Sequence, residues 1–190
     1  MNLSRLIEHI EKFVLSTETE KHQIRQCFKT IQLKNKEFLL NDGQVCKSLY
    51  FVESGCLRMF FINKKASEQI VQFALEGWWL TDYFSFMNTT TSEYYIQAIE
   101  KSEICAIDTQ MFEELLRGLP KLERYFRIVM QKGIAAAQYR SKLTYEMSKE
   151  EFYVHFSTAF PEFMQRVPQY MIASYLGLTP EYLSELRKKL

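Results

Sequence analysis

The sequence predicts an α+β chain: N-terminal helices, an antiparallel β-roll of jelly-roll type, one long helix, and a C-terminal all-α domain. Three observations predict it. The first thirty residues and the last forty carry apolar residues at helical three-and-four spacing. Residues 31–107 carry short Phe/Tyr/Val/Ile runs separated by turn residues. Residues 119–147 sustain a seven-residue apolar repeat.

Composition bounds the partners. With 47% apolar and 25% charged residues over 190 positions, the chain has enough apolar material for a core and is not of disordered type. Its formal net charge is +1, so any nucleic-acid contact must come from a local patch. Cys27, Cys46, Cys56 and Cys105 show no C-x-x-C spacing, which argues against a structural zinc or iron–sulfur site and for reduced, buried thiols. No apolar run approaches the roughly 20 residues that span a bilayer, and the N-terminus lacks a secretory pattern. The expectation is a soluble, cytoplasmic protein with no membrane partner, no metal and no cofactor.

In chain order, Leu3, Leu6, Ile7, Ile10, Phe13 and Val14 share one helical face over residues 3–14. Thr17 and Glu20 form a capping box that starts a second helix over 18–28. His9 and His22 read as surface residues. Asn41-Asp42-Gly43 and Ser54-Gly55 then punctuate strands in which Leu57, Met59 and Phe61 alternate with Arg58, Phe60 and Ile62. Ile96 and Ala98, and the run 104–107, give further strands. Helix resumes at Asp108, and Gly118 with Pro120 closes a short segment.

The long helix places Leu122, Phe126, Val129, Gly133, Ala136 and Leu143 on one seam, which points to a symmetric homodimer. Arg140 interrupts that seam. Ser148 and Glu151 form another capping box, so a joint is expected near 147–150. The domain division is therefore 1–118, 119–147 and 148–190.

Residues 166–190 read as a helix-turn-helix. Pro168 suits the first helical position, Ile172, Ala173, Tyr175 and Leu176 give an apolar face, and Gly177 suits a left-handed C-cap. Leu178 plugs the turn, Thr179 caps the next helix and Pro180 opens it. A second helix so crossed can enter a DNA major groove. Residues 148–190 hold five Lys/Arg and five Asp/Glu and are neutral overall.

In order and spacing, Gly43, Ser48-Leu49-Tyr50-Phe51-Val52, Gly55, Leu57-Arg58, Gly77, the Ile-x-Ala-Ile strand at 96–99, the long helix and the helix-turn-helix resemble the Crp/Fnr family, that of the cyclic-AMP receptor protein and the fumarate–nitrate reduction regulator. The resemblance covers nearly the whole chain. It implies a cyclic-nucleotide-binding-like effector domain at 1–118, a dimerisation helix at 119–147 and a DNA-binding domain at 148–190. It also implies homodimers on double-stranded DNA, a small-molecule effector, RNA polymerase as a further partner, and no catalysis.

Two departures matter. Nucleotide-binding members hold the cyclic phosphate with an Arg-Ser/Thr-Ala stretch, and here Ser92 or Glu93 falls where the Arg belongs. No Lys or Arg occurs between Lys65 and Lys101. The effector region is then Gly77, Trp78, Thr81, Asp82, Tyr83 and Ser92, with Gln138 on the long helix, and cyclic AMP is not expected to bind in the usual way. Trp78, Trp79, Tyr83, Phe84 and Phe86 suggest a roomy aromatic pocket or, on ordinary packing grounds, a loop tucked into the core.

The reader departs too. Of the family's Arg-Glu-Thr-x-x-Arg pattern only Glu181 stands, over Pro180–Glu185. Glu181, Tyr182 and Ser184 are assigned to base edges, Arg187, Lys188 and Lys189 to phosphates, Gln169 to a further phosphate, and Thr179 to the start of the reading helix. No wing strand follows within the 190 residues. A neutral tail without those arginines leaves an alternative, in which the β-roll is a ligand-binding module and the helical tail docks a protein. An enzyme is not indicated, because Glu76, Asp82, His155 and the cysteines fall into no nucleophile–base or metal-ligand spacing.

Overall fold

The structure is a computed structural model that describes residues 3–188 and the backbone of Lys189. The chain forms two compact units. One takes the residues up to Phe61 together with Gln72–Val129, and the other takes Ile62–Val71 together with the residues from Met130 onward.

The first unit opens with α1 (Ser4–Glu11) and α2 (Glu18–Cys27). α1 stops three residues before the expected end, because Phe13 and Val14 both turn back to the Ile10 carbonyl. α2 starts at its capping box: Thr17 Oγ1 accepts from the Glu20 amide at 3.3 Å and Glu20 Oε2 accepts from the Thr17 amide at 2.7 Å. Lys121 Nζ donates to Glu20 at 2.6 Å. With the capping bonds, that contact lowers the Glu20 pKa to about 2.

Among the described residues eight strands follow: β1 (Lys29–Leu33), β2 (Phe38–Leu40), β3 (Ser48–Ser54), β4 (Leu57–Ile62), β5 (Glu68–Ala74), β6 (Trp79–Leu80), β7 (Tyr95–Ala98) and β8 (Ser102–Asp108). They form two four-stranded sheets, ordered β1-β8-β3-β6 and β2-β7-β4-β5. The registered pairs are antiparallel, β1 and β3 both pairing with β8 and β2 and β4 with β7. This is the jelly-roll-like arrangement that alternating short strands predict. Gly55 makes the β3–β4 turn at φ +97°, and a Cβ there would lie 2.2 Å from Ser102 Oγ, so no other residue fits.

α3 (Tyr83–Asn88) lies between β6 and β7, and α4 (Thr109–Gly118) precedes α5 (Lys121–Glu146). Leu3, Leu6, Ile7 and Ile10 pack with Leu49 and Phe51 of β3, Cys105 and Ile107 of β8, Leu115 and Leu119 near α4, and Leu122, Tyr125 and Phe126 of α5. Two polar links are built into this core. Glu53 of β3, buried, accepts from the amides of Arg5 at 2.7 Å and Leu6 at 3.1 Å and so caps α1 from outside the helix. Tyr125, also fully buried, accepts from Trp79 Nε1 at 2.9 Å and lies 2.7 Å from His9 Nδ1. His9 is thus bonded into the fold and is not the surface histidine the sequence suggests. Burial raises the pKa of the Tyr125 hydroxyl and keeps it protonated.

The second unit contains the rest of α5, then α6 (Lys149–Ala159), α7 (Pro161–Arg166), α8 (Gln169–Leu176) and α9 (Pro180–Lys189). α6 begins with the expected Ser148–Glu151 capping box. Phe152, Tyr153, Phe156, Phe163, Val167, Ile172, Leu176, Leu178, Leu183 and Leu186 are buried.

Because Glu53 satisfies two first-turn amides from a buried position, Glu53→Ala is expected to lower stability by about 2–3 kcal/mol. Glu53→Gln, which keeps an acceptor, should lose less. Urea unfolding of the full chain followed by circular dichroism checks the order.

Candidate nucleic-acid interface and effector site

The reader is built by local rules. α8 follows Pro168, which sits at the N-cap and not inside the helix, one residue earlier than the sequence suggests. Gly177 ends it at φ 69°, ψ 30°. The Leu178 amide returns to the Ala173 carbonyl at 2.8 Å and the Gly177 amide to the Ser174 carbonyl at 3.2 Å, closing a Schellman-type cap. Thr179 Oγ1 accepts from the Tyr182 amide at 3.2 Å, so the expected N-cap of α9 is formed. Leu183 and Leu186 face inward, while Glu181, Ser184, Arg187 and Lys188 are exposed along α9.

Two assigned residues are otherwise engaged. The Tyr182 hydroxyl donates to Glu150 of α6, and that bond, foremost, raises its pKa. Gln169 Nε2 points to the Met164 carbonyl at 3.5 Å, and its Oε1 is buried without a hydrogen-bond partner. Gln169 therefore turns into its own domain, because α7 packs just ahead of it, and its amide is not held out for a phosphate. Thr179 is exposed, though its side-chain oxygen is spent on the cap. The side chain of Lys189 lies outside the described residues.

The long-helix seam divides. Leu122 and Phe126, assigned from the sequence to a dimer contact, are core residues, and Val129 packs partly against the same core. The physical reason is that α1, α2 and the β3/β8 face offer this end of α5 an apolar surface within its own unit. Leu143 is likewise buried. Gly133 and Ala136 lie in an exposed stretch, 131–139, that includes Ile134 and Tyr139. Arg140 turns back, donating to the carbonyls of Val71 and Tyr175 with its guanidinium 3.8 Å from the Tyr175 ring centre.

In the effector region the structure brings Thr81, Asp82 and Ser92 together. All three are buried. Asp82 caps α3: its Oδ1 accepts from the amides of Phe84 at 3.1 Å and Ser85 at 3.2 Å, and its Oδ2 accepts from Ser92 Oγ at 2.7 Å. Ser92 is pinned through its backbone to Gly43 and Gln44. Thr81 Oγ1 donates to the Ser48 carbonyl at 2.9 Å and lies 3.1 Å from Cys46 Sγ. Glu76 accepts from the Gly55 amide at 2.8 Å, and Gly77 sits in the adjoining turn at φ +82°.

The aromatic residues do not line one cavity. Trp79 and Phe86 pack against the core, whereas Trp78, Tyr83 and Phe84 are exposed, Phe84 at 72%. Gln138 is exposed on α5 in the second unit. Among the described residues no group of three or more His, Cys, Asp or Glu could hold a metal ion, and no helix is long and apolar enough to cross a membrane.

The bonds of Glu53 and, separately, those of Arg140 escape sequence reading because the partners lie far apart in the chain. The one available signal for Arg140 is its position as a lone charge in an apolar repeat.

Comparison with known proteins identifies the chain. Residues 30–118 match the cyclic nucleotide-binding domain family. The fumarate and nitrate reduction regulatory protein of Vibrio cholerae is 31% identical over 185 residues, covering 89% of this chain and 72% of that protein. The transcriptional activator protein Anr of Pseudomonas protegens is 30% identical over 165 residues, 81% of this chain and 67% of that protein. In fold, the c-di-GMP-responsive regulator CLP of Xanthomonas campestris superimposes with a TM-score of 0.75 at 14% identity, over 91% of each chain. FixK2 of Bradyrhizobium japonicum superimposes with a TM-score of 0.69 at 17% identity, over 86% of this chain and 84% of its own. With its two sheets, its long α5 and its capped α8–α9 turn, the chain belongs to the Crp/Fnr family of transcriptional regulators.

Proposed function

We propose that this protein is a homodimeric DNA-binding regulator of the cytoplasm, with an effector domain up to residue 118, a dimerisation helix over 119–147 and a reader over 148–190. The observation that carries the reading is the α8–α9 pair. Its turn is closed by Gly177, its second helix is capped by Thr179, and Glu181, Ser184, Arg187 and Lys188 stand exposed on that second helix. Glu181 suits a cytosine amino group, and Arg187 and Lys188 suit phosphates. RNA polymerase is the partner through which such a regulator acts.

The test is a mobility shift against genomic fragments at low and moderate salt. Binding should strengthen as salt falls, and Arg187→Ala and Lys188→Ala should each flatten the log–log salt dependence by about one. Failure to bind any fragment at low salt would favour a protein-docking tail.

Dimerisation is placed on the exposed stretch of α5, where Gly133 and Ala136 are small enough to let a second helix approach and Ile134 and Tyr139 supply apolar area. Ile134→Glu is expected to give monomers in sedimentation while leaving the fold intact. Phe126→Glu would instead disrupt the first unit's own core.

The effector domain is proposed not to bind cyclic AMP in the family's usual way. The amides at the start of α3 already face the Asp82 carboxylate, and Ser92, where an anion-binding Arg is expected, serves that same carboxylate. Isothermal titration should show no binding at micromolar cyclic AMP. A micromolar dissociation constant would overturn this.

A further inference from the structure

β5 is the outermost strand of its sheet. The outer edge of such a strand presents backbone N–H and C=O groups that need partners. Over residues 68–71 the partners are side chains from helices. Ser174 Oγ, in the last turn of α8, accepts from the Ile70 amide at 3.0 Å and donates to the Glu68 carbonyl at 2.7 Å. One hydroxyl thus supplies both the acceptor and the donor that a neighbouring strand would offer. Gln69 Nε2 donates to the Ser174 carbonyl. Arg140 of α5 adds a bond further along the strand: one Nη donates to the Val71 carbonyl, and the other donates to the Tyr175 carbonyl at 2.9 Å. The Tyr175 carbonyl is near the C-terminus of α8, where a cation is favoured. The Tyr175 ring, under the guanidinium, packs on Phe156 of α6 at 5.4 Å between centres.

These bonds use only the C-terminal turn of α8. Glu181, Ser184, Arg187 and Lys188 of α9 remain exposed, so the attachment and a DNA duplex do not compete for one face. The reader is therefore not hung on the α5–α6 joint alone.

We propose that Ser174 and Arg140 are positioning residues that fasten the helix-turn-helix to residues 68–71 of β5, so that this segment and α5 together set the aim of α9. The proposal rests on the DNA-reading role of α8–α9. Neither residue touches DNA; both act through the placement of α9.

The full chain carrying Ser174→Ala, Ser174→Thr or Arg140→Met tests it, with amide exchange of residues 68–71 and DNA affinity as separate readouts. Ser174→Ala removes the acceptor of the Ile70 amide, and exchange there should rise about tenfold or more. DNA affinity should fall by a similar factor in Ser174→Ala and Arg140→Met. The salt dependence of binding should keep the wild-type slope, because no phosphate contact is lost. Ser174→Thr keeps the hydroxyl and should restore both readouts.

Wild-type exchange at Ile70 in Ser174→Ala, or wild-type DNA affinity in both variants, would overturn the proposal. A slope reduced by about one in Arg140→Met would also overturn it, since Arg140 would then be a phosphate ligand. If the wild-type chain binds no DNA at low salt while Ser174→Ala still speeds Ile70 exchange, the fastening stands and the DNA-reading role is what fails.

Discussion

A buried carboxylate at the end of β3 orders much of what surrounds it. Glu53 meets the first-turn amides of α1, and the Arg5 guanidinium Nε returns to the Glu53 carbonyl at 2.9 Å. A charge out of water is tolerable only with such partners. The requirement fixes where α1 lies on the β3/β8 face. With α1 in place, its apolar side chains and the opening turns of α5 close over the same sheet, and Tyr125 draws in Trp79 and His9. The exposed stretch of α5 begins just beyond Met130, near where that core runs out.

Elements set by near neighbours in the chain were legible in the sequence. Both capping boxes, at Thr17–Glu20 and Ser148–Glu151, are four-residue signals and formed as read. The α8–α9 turn is equally local, since Gly177 and Thr179 act within a turn of themselves. The strands were legible because turn residues and β-branched or aromatic runs alternate.

What was not legible depends on residues far apart in the chain. Nothing near Glu53 announces that it caps a helix forty-eight positions earlier. The apolar repeat of α5 does not say which helical turns face the home core and which stay exposed, and the assignment of Leu122 and Phe126 to a dimer seam failed on that point. Gln169 failed similarly, because a side chain at a helix start reaches inward or outward according to what packs beside it. The motif glycines that carry the family resemblance are partly geometric: Gly55 is required by Ser102 and Gly177 by a left-handed cap. The fold itself is shared with CLP at 14% identity.

The Asp82 network has a further consequence when it is viewed as a tethered ligand. Its carboxylate is separated from the two amides it binds by one and by two residues, both on its C-terminal side. Its effective concentration there is at least that of a short intramolecular linkage, about millimolar or above. An incoming anion would compete against that concentration. The first amides of α3 are thus held by a tethered acceptor, one that cannot diffuse away.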